Sequence, residues 1–258
     1  ASSGIGKSIA NYLSEKGMVV YGTSRTQKDD SSLPYNMIAL DVLEIDSIQR
    51  AVSVIVKNEG KLDVLINNAG MGITGSIEDT PTDEMKKAFN TNFFGAIDLM
   101  KTVLPQMRKQ HSGIVINVTS IAGYMGLPFR GVYSASKGAL ELITEATSME
   151  VKQFGVEVVN VAPGDFATNI SAGRYHTPVF ENSAYKEKYQ ENLDLMNSHV
   201  DSGMNPEIMA KAVYKIIEKK NPKIHYKVAA FMEKFSIVLK RILSDKMYEK
   251  LLMNHYKL

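Results

Sequence analysis

The sequence predicts an α/β fold, a three-layer Rossmann arrangement in which a doubly wound parallel sheet carries helices on both faces. Three observations lead there. Short apolar runs alternate with helical stretches along most of the 258 residues. The runs are continuous and rich in β-branched residues, as in Val64-Leu65-Ile66 and Ile114-Val115-Ile116. A glycine-rich turn opens the first helix. Strands that alternate with helices form a parallel sheet, and continuous apolar strands suit burial on both faces. Ligands of such sheets sit at the carboxyl ends of the strands, so the loops there are where chemistry is expected.

Residues 7–16 read as a helix closed by Gly17 just past its end, and 18–24 as a buried strand. A strand at 36–40, a helix at 45–58, a strand at 62–66 and a helix at 82–109 follow. The pattern continues with a strand at 113–118, a helix at 133–153 and a strand at 156–161. Residues 163–205 lack strand character and carry Tyr175, Phe180, Tyr185 and Tyr189 among polar residues, so a mobile lid with short helices is expected over about 165–205. Pro206 opens an amphipathic helix with Ile208, Met209, Val213 and Ile216 on one side, and a short strand is expected at 224–228. Residues 229–258 form a C-terminal helical extension. No linker or repeat divides the chain, so a single domain over 1–258 is expected. Residue 1 falls inside the glycine turn, and the strand that feeds this turn is expected ahead of it.

Composition narrows the function classes. There is no Cys, which excludes disulfides, thiolate metal sites and a Cys nucleophile. The five His are scattered singly, so no metal site is expected. Thirty Lys and Arg against 28 Asp and Glu give a net charge of +2, too small for a nucleic-acid footprint. No apolar run reaches membrane-spanning length, and a cytoplasmic location is expected.

The candidate chemistry lies in the loops. Ser2, Ser3, Gly4, Ile5 and Gly6 lead into a helix whose backbone N–H groups can face a pyrophosphate, although glycines before a helix are often plain turn chemistry. Gly6-Lys7-Ser8 mimics the end of a P-loop, without the glycine such a loop needs five residues earlier. Ser24 and Arg25 end the next strand, where a cation favours a 2′-phosphate and hence NADP(H); an Arg there also suits a solvated surface. Asp41 and Val42 follow the third strand, set to touch an adenine ring or to cap a helix. Asn67, Asn68, Ala69 and Gly70 end the fourth, where backbone passes close to a ligand or turns sharply.

Tyr133 and Lys137, four residues apart, share one helical face. An ammonium about 4 Å from a phenol is worth on the order of 4 kcal/mol at an effective dielectric of 20, enough to lower the phenol toward neutrality. Such a tyrosine serves as acid and base, though the same spacing occurs by chance in many helices. Ser120 is able to donate to a carbonyl oxygen, or it is a turn hydroxyl.

Taken together, these motifs resemble the short-chain dehydrogenase/reductase family from Ala1 to about Thr168. Ala1 to Gly6 is similar to the end of its Thr-Gly-x-x-x-Gly-x-Gly turn, Asn67 to Gly70 to its Asn-Asn-Ala-Gly motif, and Tyr133 to Lys137 to its Tyr-x-x-x-Lys motif. Ser120 stands 13 residues before the tyrosine, as the family's catalytic serine does. The resemblance makes Asn92 the fourth catalytic residue, holding a water by its main chain or side chain. It makes the loop of Pro163, Gly164, Phe166 and Thr168 a nicotinamide contact. It implies hydride transfer between NADP(H) and a ketone or secondary alcohol. Tyr133 would move the proton, Lys137 would lower its pKa and bond the ribose, and Ser120 would orient the substrate.

For substrate, Met71, Tyr124, Met125, Phe129, Phe166 and the aromatics of 175–189 are candidates to line an apolar pocket, which suits a lipophilic small molecule. The tail from 227 to 258 has seven basic and three acidic residues and resembles the extension of steroid and retinol dehydrogenases. A helix packed on its own domain is favoured there over contact with a membrane surface. The family resemblance implies a homodimer or homotetramer through the helices at 82–109 and 133–153, with Phe93, Phe94, Leu99, Leu140 and Ile143 as interface or core. A non-catalytic NADP-binding sensor of the same fold remains the alternative; a Rossmann-like methyltransferase has no use for the Tyr/Lys helix.

Overall fold

The computed structural model describes residues 1–26, 32–168, 173–178, 181–201 and 203–258. In chain order the elements are α1 (Gly4–Glu15), β1 (Tyr21–Ser24), β2 (Asn36–Ala39), α2 (Ile45–Glu59), β3 (Val64–Asn67), β4 (Ile73–Thr74) and α3 (Thr82–Phe89). Then come α4 (Gly95–Gln110), β5 (Gly113–Val118), α5 (Gly131–Val151), β6 (Val156–Pro163), β7 (Tyr175–His176), α6 (Lys186–Asp201) and α7 (Pro206–Ile217). The chain ends with β8 (His225–Val228), α8 (Phe231–Ile242) and α9 (Asp245–Tyr256).

Strands β3, β5, β6 and β8 pair in that order, all parallel, and β1 pairs with β2 in a separate parallel ribbon. The apolar strands do what their composition requires, sending alternate side chains to opposite faces. Ile114, Ile116 and Val118 of β5, with Val159 and Val161 of β6, pack on Ile9 and Leu13 of α1 and on Met209, Val213 and Ile216 of α7. Val115, Val156 and Val158 pack on the other side against Met100, Val103 and Met107 of α4. The result is a three-layer α/β fold with the core on both faces of one sheet.

Several boundaries differ from the sequence reading, each for a local reason. The single helix expected at 82–109 is interrupted by a π-helical turn, Asn90–Phe94. The strand expected from residue 18 begins at Tyr21. The expected lid of short helices instead contains α6, 16 residues long, and β7, which pairs with β4 through Ile73↔Tyr175 and Thr74↔His176. A two-residue strand carries no periodicity to read, because alternation needs four residues or more to show. Of the lid aromatics, Phe180 lies outside the described residues. Leu99 and Leu140 are buried within the subunit, whereas Phe94 is exposed.

Candidate active site

The carboxyl ends of β3, β5 and β6 meet the amino end of α1. Ser3 precedes α1 and its side chain makes no capping bond, which leaves the first-turn N–H groups oriented toward a ligand. A Cβ on Gly6 would stand 2.7 Å from Asn68 Nδ2, so the glycine turn and the turn after β3 touch only because residue 6 has no side chain. Thr168 lies against Gly4 from the loop after β6. These contacts form a backbone cradle that fits a dinucleotide, with the helix end for its pyrophosphate.

Gly70 is the second close approach. A Cβ there would be 3.2 Å from Asn92 Oδ1 and 3.3 Å from Lys137 Nζ. The Asn92 side chain is well engaged: Oδ1 accepts from Met71 N at 2.8 Å, and Nδ2 donates to Met71 O at 3.0 Å and to Ser136 Oγ at 3.1 Å. Of the two routes by which Asn92 was expected to hold a water, the side-chain route is left with the second lone pair of Oδ1. Its main chain lies in the π-helical turn Asn90–Phe94.

On α5, Lys137 is buried and donates to Val118 O at 3.0 Å. Burial pushes its ammonium down to about 8. Tyr133 is raised above its ordinary value of 10, chiefly by burial; hydrogen bonding to the Ser120 hydroxyl and the positive charges of Arg130 and Arg174 pull it back, while Asp165 raises it further. The phenol therefore keeps its proton at neutral pH. This corrects the expectation of a phenol lowered by Lys137, whose ammonium is turned onto a backbone carbonyl. Ser120, also buried, accepts from Ala122 N at 3.1 Å at the start of the short helix Ile121–Tyr124.

The remaining predicted residues fall in mixed places. Ser24 and Arg25 lie at and just past the end of β1, with Arg25 exposed. Asp41 closes a turn ahead of α2, its Oδ1 accepting from Leu43 N at 3.0 Å, but the N-cap position of that helix is Glu44 and Asp41 does not cap it; Val42 packs against Gly95. Gly164 is pressed by the Glu233 carboxylate. Phe166 does not face the site: its side chain is buried in the core with Ile9 and Met209. Met125 is likewise committed, accepting from Tyr248 Oη at 2.8 Å. Tyr124 turns toward β8, with Oη 3.4 Å from His225 Nδ1. Phe129 and Tyr189 do come together, ring centroids 5.5 Å apart.

Sequence reading missed three groups. The first is Asn117 and Asn160, which stand in register with the anticipated Asn67 across β3, β5 and β6. Asn67 Nδ2 donates to Asn117 Oδ1 at 2.8 Å, Asn117 Nδ2 to Thr144 Oγ1 at 2.7 Å, and Asn160 Nδ2 to Glu141 O at 3.2 Å. This polar row fixes α5 on the sheet beneath the reactive pair. Arg130 and Arg174 are the second group. Arg174 is set opposite Gly72 by the β4–β7 pairing, donates to Asn197 Oδ1 at 3.2 Å, and is pushed down by burial and by Arg130. Among the described residues neither guanidinium makes an ion pair. The third is Glu141, one turn after Lys137 and accepting from Thr119 Oγ1 at 3.0 Å. Burial pushes its carboxyl up to about 7; Thr119, Tyr124 and Lys227 oppose this and Glu145 adds to it. Asn117, Asn160 and Glu141 are isolated polar letters in otherwise apolar or helical runs, and that interruption was the available signal.

Glu141 makes stability depend on pH. An acid whose folded pKa exceeds its unfolded value favours folding when protonated. Its contribution is therefore complete below about 4.5 and is lost as pH rises through about 7. The loss is on the order of 3 kcal/mol. Glu141→Gln should flatten the fall in unfolding free energy across that window; denaturation curves at stepped pH check this, and an unchanged slope would contradict it.

Comparison with known proteins agrees with this geometry. Residues 1–178 match the short chain dehydrogenase family. The chain is 39% identical to a 3-ketodihydrosphingosine reductase of Bacteroides thetaiotaomicron, over 99% of this chain and 95% of that one. It is 30% identical to an NADPH-dependent 3-dehydrocapnine reductase of Ornithobacterium rhinotracheale, again over 99% and 95%. The crystal structure of a short-chain dehydrogenase from Streptomyces avermitilis superposes with a TM-score of 0.82 at 29% identity, covering 100% of this chain and 94% of that one. A cradle for a dinucleotide and a Tyr/Lys helix, on a chain matched from end to end by such enzymes, identify it as a member of the short-chain dehydrogenase/reductase family, oxidoreductases that move a hydride between a nicotinamide cofactor and a small molecule.

Proposed function

We propose that the chain is a single-domain NADPH-dependent reductase of a lipophilic ketone, of the long-chain 3-keto lipid class. The observation that carries this reading is that Asn92 and Lys137 meet at the turn of Gly70, while Tyr133, one turn before Lys137 on α5, is hydrogen-bonded to Ser120. The two reductases named above support the substrate class, and the NADPH dependence of one of them, with Arg25 at the end of β1, supports the cofactor.

The bound cofactor supplies the hydride. Ser2 to Gly6 hold its pyrophosphate with backbone N–H groups at the start of α1. Ser24 and Arg25 meet the 2′-phosphate, Asp41 and Val42 border the adenine, and Asn68 to Gly70 line the ribose side. Lys137 leaves Val118 O to bond the ribose hydroxyls. The loop of Pro163, Gly164 and Thr168 contacts the carboxamide, with Phe166 contributing its main chain. Ser120 donates to the substrate oxygen and Tyr133 gives that oxygen its proton. The Asn92 main-chain carbonyl holds the water that re-supplies the proton through Lys137. The subunits pair through α4 and α5, where Phe94 at the end of the π-helical turn before α4, and Leu142 and Met149 on α5, are exposed.

A sensor of the same fold has no need of the Tyr133–Ser120 pair beside Lys137 and Asn92. Absorbance of NADPH falling with long-chain 3-keto lipids, and not without them, tests the reading; tight NADPH binding with no carbonyl turned over would overturn it. Tyr133→Phe should lower kcat by roughly a hundredfold or more while leaving NADPH affinity within a few-fold. Kinetics and NADPH titration check this, and undiminished turnover would refute the role. Arg25→Asp should weaken NADPH by roughly tenfold to a hundredfold with little effect on NADH, read by fluorescence titration; equal losses for both cofactors would remove the phosphate contact.

A further inference from the structure

The helix α8 is anchored on one side and bare on the other. On its inner side Ile237 is buried, Ser236 Oγ lies 3.9 Å from Met125 Sδ, and the Glu233 carboxylate accepts from Asp165 N at 2.8 Å and Ala230 N at 2.6 Å. Those contacts tie the helix to the loop after β6 and to the turn after Ser120, so its orientation is set by the active-site frame. Its outer side carries Phe231, Phe235, Val238 and Ile242, spaced by four, three and four residues and therefore in one row along the helix. They are 75%, 41%, 46% and 73% exposed. Phe231 and Phe235 are stacked, centroids 6.0 Å apart. Leaving four large apolar side chains in water on one face is costly and marks a contact surface.

The charges beside the row say what it contacts. Lys234 and Arg241 flank it on one side and are exposed. The helix has one acidic residue, Glu233, and that carboxylate is spent on the backbone within the subunit. A second copy laid face to face would bring like charges together. A row of four side chains along a 12-residue helix also covers a few hundred Å² at most, well below the roughly 800 Å² per partner of a stable dimer. An apolar row with cations at its edge and no anion fits a surface of anionic lipid headgroups. The rings enter the acyl boundary, while Lys234 and Arg241 reach the headgroups along their aliphatic stems. Among the described residues no helix is long and apolar enough to cross a membrane, so the contact is peripheral.

We infer that α8 is an interfacial helix that seats the protein on an anionic lipid surface, beside the loop that borders the active site. The inference stands on the exposed face and its charges and does not depend on which carbonyl is reduced. The test is flotation of the full chain with vesicles of phosphatidylcholine alone, or with one part in three phosphatidylglycerol, at low and high salt. The expected result is flotation with the anionic vesicles, weakened by salt. Phe231→Ser/Phe235→Ser should reduce it by about tenfold or more, and Lys234→Glu/Arg241→Glu should remove the preference for phosphatidylglycerol. These side chains are solvent-exposed, so both variants should melt within a few degrees of the parent and keep its mass by light scattering. No flotation with anionic vesicles, flotation indifferent to both variants, or a change of oligomeric mass in the phenylalanine variant would each overturn the inference.

Discussion

The active-site region depends on a close approach of chain and side chains at a glycine. At Gly70 the backbone leaving β3 passes within contact of Asn92 Oδ1 and Lys137 Nζ, so one turn of chain is held by the π-helical turn before α4 and by the middle of α5. Asn92 then bonds both backbone groups of Met71 and the Ser136 hydroxyl. A methyl group at residue 70 would stand 3.2 Å from Asn92 Oδ1 and 3.3 Å from Lys137 Nζ, so both side chains would have to give way slightly. The same logic governs Gly6 against Asn68 on the cofactor side.

Burial sets the electrostatics of this frame. Lys137 and Glu141 lie one turn apart on α5, both withdrawn from water, and each is shifted toward its neutral form. The sheet beneath them compensates with hydrogen bonds: Val118 O to Lys137, Thr119 Oγ1 to Glu141, and the asparagine row to α5 and its carbonyls. Tyr133 is pushed the same way and keeps its proton, with Ser120 and two arginines preventing a larger shift. The site thus holds a protonated phenol and a buried lysine on one helix, each shifted toward its neutral form.

Much of the fold was legible because its signals are local. Strands β5 and β6 are unbroken apolar runs, and α1, α2 and α7 have apolar faces at helical spacing. The cofactor turn and the Tyr/Lys pair were legible for the same reason, since turn residues and a spacing of four need no tertiary knowledge. What stayed hidden is set by pairing at a distance. The β4–β7 contact that seats Arg174 joins residues 102 positions apart. The π-helical turn at Asn90–Phe94 obeys no simple period, and the inward turn of Phe166 follows from the path of its loop. The lysine's commitment to Val118 O, which overturned the expected phenol shift, required coordinates because spacing gives the face of a helix but not the partner across it.

The account turns on whether the Tyr133 phenol is held protonated in the free protein. Labelling the tyrosines with carbon-13 at the ring carbon bearing the hydroxyl, with Tyr133→Phe to assign the resonance, reads this directly as pH is raised. The account predicts a Tyr133 signal that shows no ionisation through neutral pH and titrates only above the ordinary phenol value of 10; a midpoint near neutrality would contradict it.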